Sequence, residues 1–318
     1  MPEMPAGESP FFVVGSPRSG TTLMRLMLDS HPRLAVPPES HFVVRLSYRR
    51  LRLRRRPTVA LDRILAHPRF AAWGLDAGWV RTTVEQAQPA TYPEVVRAVF
   101  GAYASSCGKR RWGDKTPAYV RSIPALSRLF PDAKFIHVIR DGREVATSVA
   151  ERPWWPGGAV SAAYWWRRYV RTGRRGAARV APGRYLEVRL DALTADPEAA
   201  LKTVCAFLDE PYDAAMLDYP PAARRRVGHE GDHPLPGYLM HLEQPPTSGI
   251  RDWRAGLPVA IAEAVEAACY PVLRDLGYDA SPPRLRTKLI ARARWLRDLP
   301  RRAALVVAQQ VRPSSADV

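Results

Sequence analysis

The sequence predicts an α/β protein with a P-loop-like central parallel sheet flanked by helices and covered by helical lids. Three observations predict it. Short apolar runs at 11–14, 134–139 and 184–189 each lead into a segment whose apolar residues recur at helical spacing. The first junction is a glycine-rich turn running from Gly15 to Gly20. Connections of helix length between strands make those strands parallel and place helices on both faces of the sheet.

Phe11 to Val14 forms the first expected strand, and Thr21 to Leu28 the helix after it, with Leu23, Leu26 and Met27 on one face. His41 to Phe70 is a basic helical stretch and a lid candidate. It contains six arginines in the eight positions from Arg49 to Arg56, the pattern of a solvated helix face. Lys134 to Ile139 is the second strand, Asp141 and Gly142 supply its turn, and Glu144 to Ala150 is the helix that follows. Trp154 to Tyr169, rich in aromatics, is a second lid candidate. Arg184 to Arg189 is the third strand. Asp196 then suits an N-cap, and Pro197 the first helical position, where its missing N–H costs nothing. Organisation as one domain over 1–280 and a basic helical tail over 281–318 follows. That tail holds nine basic and two acidic residues, with Leu285, Leu289, Ala293, Leu296 and Leu299 near one helical face. The pattern suits peripheral contact with a membrane surface or docking on the body.

Composition narrows the function classes. A chain of 318 residues, 46% hydrophobic and 25% charged, buries a large core and is neither disordered nor fibrous. Lys and Arg outnumber Asp and Glu by 48 to 31, a net charge of +17 that attracts anionic ligands without choosing among them. Cys107, Cys205 and Cys269 are odd in number and far apart, which suits thiols in a reducing compartment. With no apolar run near 18 residues and no leader pattern, the expected location is the cytoplasm.

Ligands of such sheets bind at the carboxyl ends of the strands, where GSPRSGTT lies. Gly15 and Gly20 let successive N–H groups and the next helix's N-terminus converge on an anion. The loop matches the phosphate-binding pattern G-x-x-x-x-G-K-[ST] except that Thr21 replaces the lysine, which argues against a nucleoside-triphosphate kinase. A kinase-like phosphotransferase and a basic polyanion-binding protein are the alternative readings, and nucleic acid is not the expected partner.

GSPRSGTTLMRLMLDSHP and FIHVIRDGREVATSVA resemble the two donor-binding signatures of the PAPS-dependent sulfotransferases, in particular the branch of the tyrosylprotein sulfotransferases and bacterial sulfotransferases. The resemblance runs with gaps from about Phe11 to about Leu276. It implies PAPS as donor, PAP as product and no metal. Arg18, Ser19, Gly20, Thr21 and Thr22 would hold the 5′-phosphosulfate, while Arg140 and Ser148 would grip the 3′-phosphate, which suits a guanidinium fork. Glu39 in AVPPESHF matches the branch's catalytic glutamate, with His41 the alternative base. Lys115 in RWGDKTP matches its lysine near the bridging oxygen, a duty Arg18 shares. SGIRDWRAGL resembles a segment folding over the donor, with Trp253 and either Arg251 or Arg254 at matching places; Arg251 is the expected contact. Where members read Tyr-Glu-Asp-Leu, this chain has Leu190-Asp-Ala-Leu, leaving adenine recognition unassigned. The expected acceptor is a hydroxyl of a small molecule, a carbohydrate or a natural product. Trp154, Trp155, Trp165 and Trp166 are candidate walls of its pocket.

Overall fold

In a computed structural model of the protein, which describes residues 9–47, 56–219, 253 and 256–301, the sheet has five parallel strands rather than three. They are β1 (Phe11–Gly15), β2 (Leu34–Ala35), β3 (Arg111–Lys115), β4 (Lys134–Ile139) and β5 (Tyr185–Arg189), in the order β2-β3-β1-β4-β5. β1 lies at the centre, with Phe12 opposite Asp114 on β3 and opposite Phe135 on β4. Its five residues are all buried, as a strand flanked on both sides requires. Sequence patterning misses β2 because it is two residues long. It misses β3 because that strand reads Arg-Trp-Gly-Asp-Lys, with three charged side chains all buried.

Among the described residues the α-helices are α1 (Thr21–Ser30), α2 (Phe42–Ser47), α3 (Pro57–Leu65), α4 (Pro68–Ala71), α5 (Ala77–Gln86), α6 (Tyr92–Ser106), α7 (Ile123–Leu129), α8 (Gly142–Ala150), α9 (Ala159–Ala177), α10 (Leu190–Ala195), α11 (Pro197–Leu208), α12 (Val259–Asp275) and α13 (Leu285–Arg297). α11 begins as expected: the Asp196 carboxylate accepts from the Ala199 N–H at 3.0 Å, and Pro197 opens the helix. The chain divides into two compact units, one of residues 1–15, 20–138 and 173–248, the other of residues 16–19, 139–172 and 249–318.

Alternation along β1 builds the core of the first unit. Phe11 and Val13 face an aliphatic layer with Met24 and Met27 of α1, Ile136 and Val138 of β4, and Leu201 and Val204 of α11. Phe12 joins an aromatic layer, stacked on Phe135 at 5.6 Å, in which Phe100 lies 4.6 Å from Trp112. In the second unit, Val145 and Val149 of α8, Ala163 and Trp166 of α9, and Val265, Ala268 and Val272 of α12 make a separate core. α13 joins that unit through the buried Ala291 and through Asp298, whose carboxylate accepts from the Gly158 N–H at 2.9 Å and the Ser161 hydroxyl at 2.6 Å. The leucine face read from the tail points outward: Leu285, Leu289, Leu296 and Leu299 are all exposed, so the helix is held by its other side.

β4 also buries His137 completely. The Tyr185 hydroxyl donates to Glu187 at 2.9 Å, so the histidine must donate its Nδ1–H to the tyrosine oxygen at 2.6 Å, which leaves a buried Nε2 with no partner. Burial pushes the imidazole down to about 4, with Arg174 acting the same way and Glu187 opposing. Because its folded value lies below that of the unfolded chain, His137 contributes stability at and above pH 6.5 that is lost as pH falls toward 4, on the order of 3 kcal/mol. Unfolding free energies of the wild type and of His137→Gln, measured from pH 7 to pH 5, should converge toward acid. Parallel curves would exclude this source of acid sensitivity.

Candidate active site

Gly15 ends β1 where a Cβ would lie 2.6 Å from the Val138 carbonyl oxygen, so only glycine lets the chain turn there. Gly20 closes the loop at φ 89° and N-caps α1; a Cβ on it would meet the Leu190 side chain at 2.5 Å. No side chain caps α1, so the N–H groups of its first turn, including those of Thr21 and Thr22, keep their hydrogen-bonding capacity at the positive end of the helix. The Ser19 hydroxyl is buried without a partner. An uncapped helix start and an orphaned donor next to it are what an anionic group takes up, so the loop fits a phosphosulfate.

In the first unit, the end of β3 brings Lys115 to Glu39. The Lys115 ammonium donates to Glu39 Oε1 at 2.5 Å and lies 3.4 Å from the Thr22 hydroxyl. The imidazole Nε2 of His41 lies 2.7 Å from the other oxygen, Glu39 Oε2. Burial works to raise the Glu39 carboxyl, but the Lys115 ammonium and the His41 contact outweigh it and hold the group well below the usual carboxylate range. Lys115 is almost wholly buried whereas Glu39 is partly open, with 26% of its side chain exposed. Glu39 is therefore ionised, reachable, and linked by a lysine to the uncapped start of α1.

The second unit holds the other expected donor residues. Arg18, at φ 70°, donates from Nε to the Ser148 hydroxyl at 3.1 Å. Arg140, just past β4, donates from Nη1 to the Arg18 carbonyl at 3.4 Å. Its Nε and Nη2 both reach Glu144 Oε2 at 2.6 Å, one helical turn along α8. The structure thus links Arg140 and Ser148 through Arg18, which the resemblance had placed on the 5′ side, and adds Glu144, which sequence reading passed over. The i, i+4 spacing of Arg140 and Glu144 was the available signal.

The sulfotransferase family model matches residues 10–214. The chain belongs to the sulfotransferase family. Protein-tyrosine sulfotransferase 1 of Danio rerio is 27% identical over 285 residues, covering 86% of this chain and 73% of that protein. The Homo sapiens protein of the same name is 28% identical over 284 residues, covering 86% and 70%. Among solved structures, the sulfotransferase domain of the Synechococcus PCC 7002 olefin synthase has a TM-score of 0.58 at 25% identity, covering 88% of this chain and 99% of that one. The sulfotransferase domain from the curacin biosynthetic pathway shares the fold, with a TM-score of 0.54 at 20% identity and coverage of 86% and 99%.

These relatives correct the expected acceptor. The Danio rerio and Homo sapiens proteins are by name protein-tyrosine sulfotransferases, whose acceptor is a protein side chain and not a small molecule or carbohydrate. Both sharp motifs concern the donor, and the sequence held no comparable signal for the acceptor. Of the tryptophans expected to line a pocket, Trp166 is fully buried beneath Gly142 and belongs to the core of this sulfotransferase. Trp154, Trp155, Trp165 and Tyr169 form an aromatic cluster with ring centroids 4.4 to 6.3 Å apart, in which Trp154 is exposed. Trp253 is buried with the Arg143 guanidinium 4.7 Å over its ring. Arg251 and Arg254 lie outside the described residues.

Proposed function

We propose that the protein transfers the sulfuryl group of PAPS to the phenolic oxygen of a tyrosine in a protein or peptide, with Glu39 as the general base. The observation that carries this reading is the run of contacts from His41 through Glu39 and Lys115 to Thr22, ending at the uncapped start of α1. Bound PAPS supplies an activated sulfuryl group and a phosphate leaving group. Thr21, Thr22 and Ser19 hold its 5′ end by N–H and O–H donation, and Arg140 and Ser148 hold the 3′-phosphate. Glu39 takes the proton from the acceptor hydroxyl as its oxygen attacks. Lys115, and Arg18 with it, offsets the negative charge that collects on the departing oxygen, the main demand of a loose transition state. A partly exposed carboxylate next to a buried ammonium suits this division of labour: one group faces the acceptor while the other stays fixed.

Two measurements test the reading. PAP at about 100 times its Kd should stabilise the fold by about 2.7 kcal/mol, and ATP with magnesium by much less. Labelled PAPS should transfer label to tyrosine-containing peptides and not to the same peptides with phenylalanine in place of tyrosine. A melting curve indifferent to PAP would remove the donor assignment, and label on the phenylalanine peptides would remove the acceptor assignment.

A further inference from the structure

We propose that Asp114 is a positioning residue that, through Ser40, holds Glu39 against Lys115 in the geometry needed for proton transfer. This rests on the reading of Glu39 as base. Three consecutive residues at and just past the end of β3 grip the segment that carries Glu39. Lys115 takes the Glu39 carboxylate, Asp114 Oδ2 accepts from the Ser40 hydroxyl at 2.5 Å, and the Thr116 hydroxyl oxygen accepts from the Ser40 N–H at 3.2 Å. Asp114 and Lys115 project to opposite sides of the strand, yet both end on neighbouring residues of one segment.

The protons of this network run in one direction. The Val44 N–H points to the Tyr119 oxygen at 3.4 Å, the Tyr119 hydroxyl donates to Ser40 Oγ at 3.1 Å, and Ser40 donates to Asp114. The Thr116 hydroxyl donates to the other oxygen, Asp114 Oδ1, at 2.8 Å. Asp114 is thus the terminal acceptor, with both oxygens engaged, and Ser40, Asp114 and Thr116 are all fully buried. On the far side of Ser40, His41 adopts a left-handed φ of 52°, a conformation a non-glycine residue keeps only where its neighbours fix it. That backbone turn places the imidazole on Glu39. The segment before Glu39 is tied as well: the Trp73 indole N–H donates to the Pro38 carbonyl at 3.1 Å, and the Val36 N–H to Asp29 Oδ1 at 3.0 Å. Glu39 itself, the one partly open carboxylate here, takes its position from residues that never meet the acceptor.

Titration supports the role. Burial pushes the Asp114 carboxyl up to about 6, against the hydrogen bonds from Ser40 and Thr116 and the charge of His41, with Glu39 adding to the rise. The groups facing it are Ser40, Glu39 and His41 from the loop, Thr116 from its own strand end, Tyr119 from the 3₁₀ turn at Pro117–Ser122, and Tyr92 from α6. Protonation replaces an acceptor with a donor on one oxygen, so turnover should fall as pH drops through about 6.

The test is PAP release from PAPS, with a mixture of tyrosine-containing peptides as acceptor, for Ser40→Ala, Asp114→Asn and each of these combined with Glu39→Gln. Misplacement of the base predicts a kcat lowered by about 10- to 100-fold in the single variants. PAP affinity should be unchanged, the acid limb near pH 6 should be lost in Asp114→Asn, and neither change should lower kcat further in the Glu39→Gln background. Ser40→Ala keeps the buried carboxylate and decides the matter if Asp114→Asn fails to fold. A kcat within twofold of wild type in Ser40→Ala, or an equal loss with and without Glu39, overturns the positioning role. A wild type that releases no PAP, or a fully active Glu39→Gln, overturns the assignment of the base and this inference with it. An inert Glu39→Gln beside a fully active Ser40→Ala overturns this inference alone.

Discussion

Glu39→Gln should lower kcat by about 10²- to 10⁴-fold while leaving PAP affinity and melting temperature close to those of the wild type. Glutamine keeps the length and planarity of the side chain, and its carbonyl oxygen still accepts from the Lys115 ammonium, so the local structure loses one charge and little packing. What it loses is the ability to take a proton. The pH profile sharpens the expectation. Lys115 and His41 hold the Glu39 carboxyl far below the usual range, so Glu39 is ionised at and around neutral pH. Any acid limb in turnover near neutrality therefore belongs to another group. A base with so low an affinity for protons works only if the proton moves as the sulfur–oxygen bond forms, when the acceptor oxygen has become far more acidic. Retention of more than a tenth of wild-type kcat in Glu39→Gln would transfer the role of base to His41.

The geometry of the candidate donor loop was legible in the sequence because it is carried by backbone turns and by motifs of fixed spacing. Gly15 and Gly20 announce the loop, and both occur where any Cβ would collide. Arg140 and Ser148 follow from a strand end and two helical turns, and the structure joins them to Arg18. Lys115 and Glu39 were reached only through family resemblance, since 76 residues separate them and no periodicity links them. β3 was invisible to patterning for the reason that makes it useful: its buried Arg111, Asp114 and Lys115 read as a polar loop until their partners are known. Arg111 meets Glu210, Asp114 meets Ser40, and Lys115 meets Glu39. A buried charge needs a partner, and the partner of a strand-end residue is set by tertiary structure. Helix α13 was legible as a helix, but the face by which it docks was not. Its leucine periodicity is real, but periodicity says which residues share a face and not which face is covered. Ala291 and Asp298 anchor it instead.

Arg140→Ala should weaken PAP binding by about 10- to 150-fold, the effect of removing a charge-assisted hydrogen bond to a phosphate worth about 1.5–3 kcal/mol. The loss should be confined to ligands with a 3′-phosphate, so ADP, which lacks it, should bind wild type and variant alike. Stability should barely change. The Arg140–Glu144 pair is partly exposed, joining the residue just past β4 to the first turn of α8, with side chains 17% and 27% accessible, and pairs so exposed contribute only about 0.2–1 kcal/mol. Glu144 is informative as a second variant. Its carboxylate occupies two nitrogens of the guanidinium, so an incoming phosphate must compete for them. Glu144→Gln leaves the fork in place without a competing negative charge and should tighten PAP while leaving ADP unchanged. Opposite shifts in the two variants, both absent with ADP, would assign the 3′-phosphate to Arg140. Equal weakening of PAP and ADP in Arg140→Ala would show that the arginine acts through the Arg18 carbonyl on the loop and does not hold the 3′-phosphate.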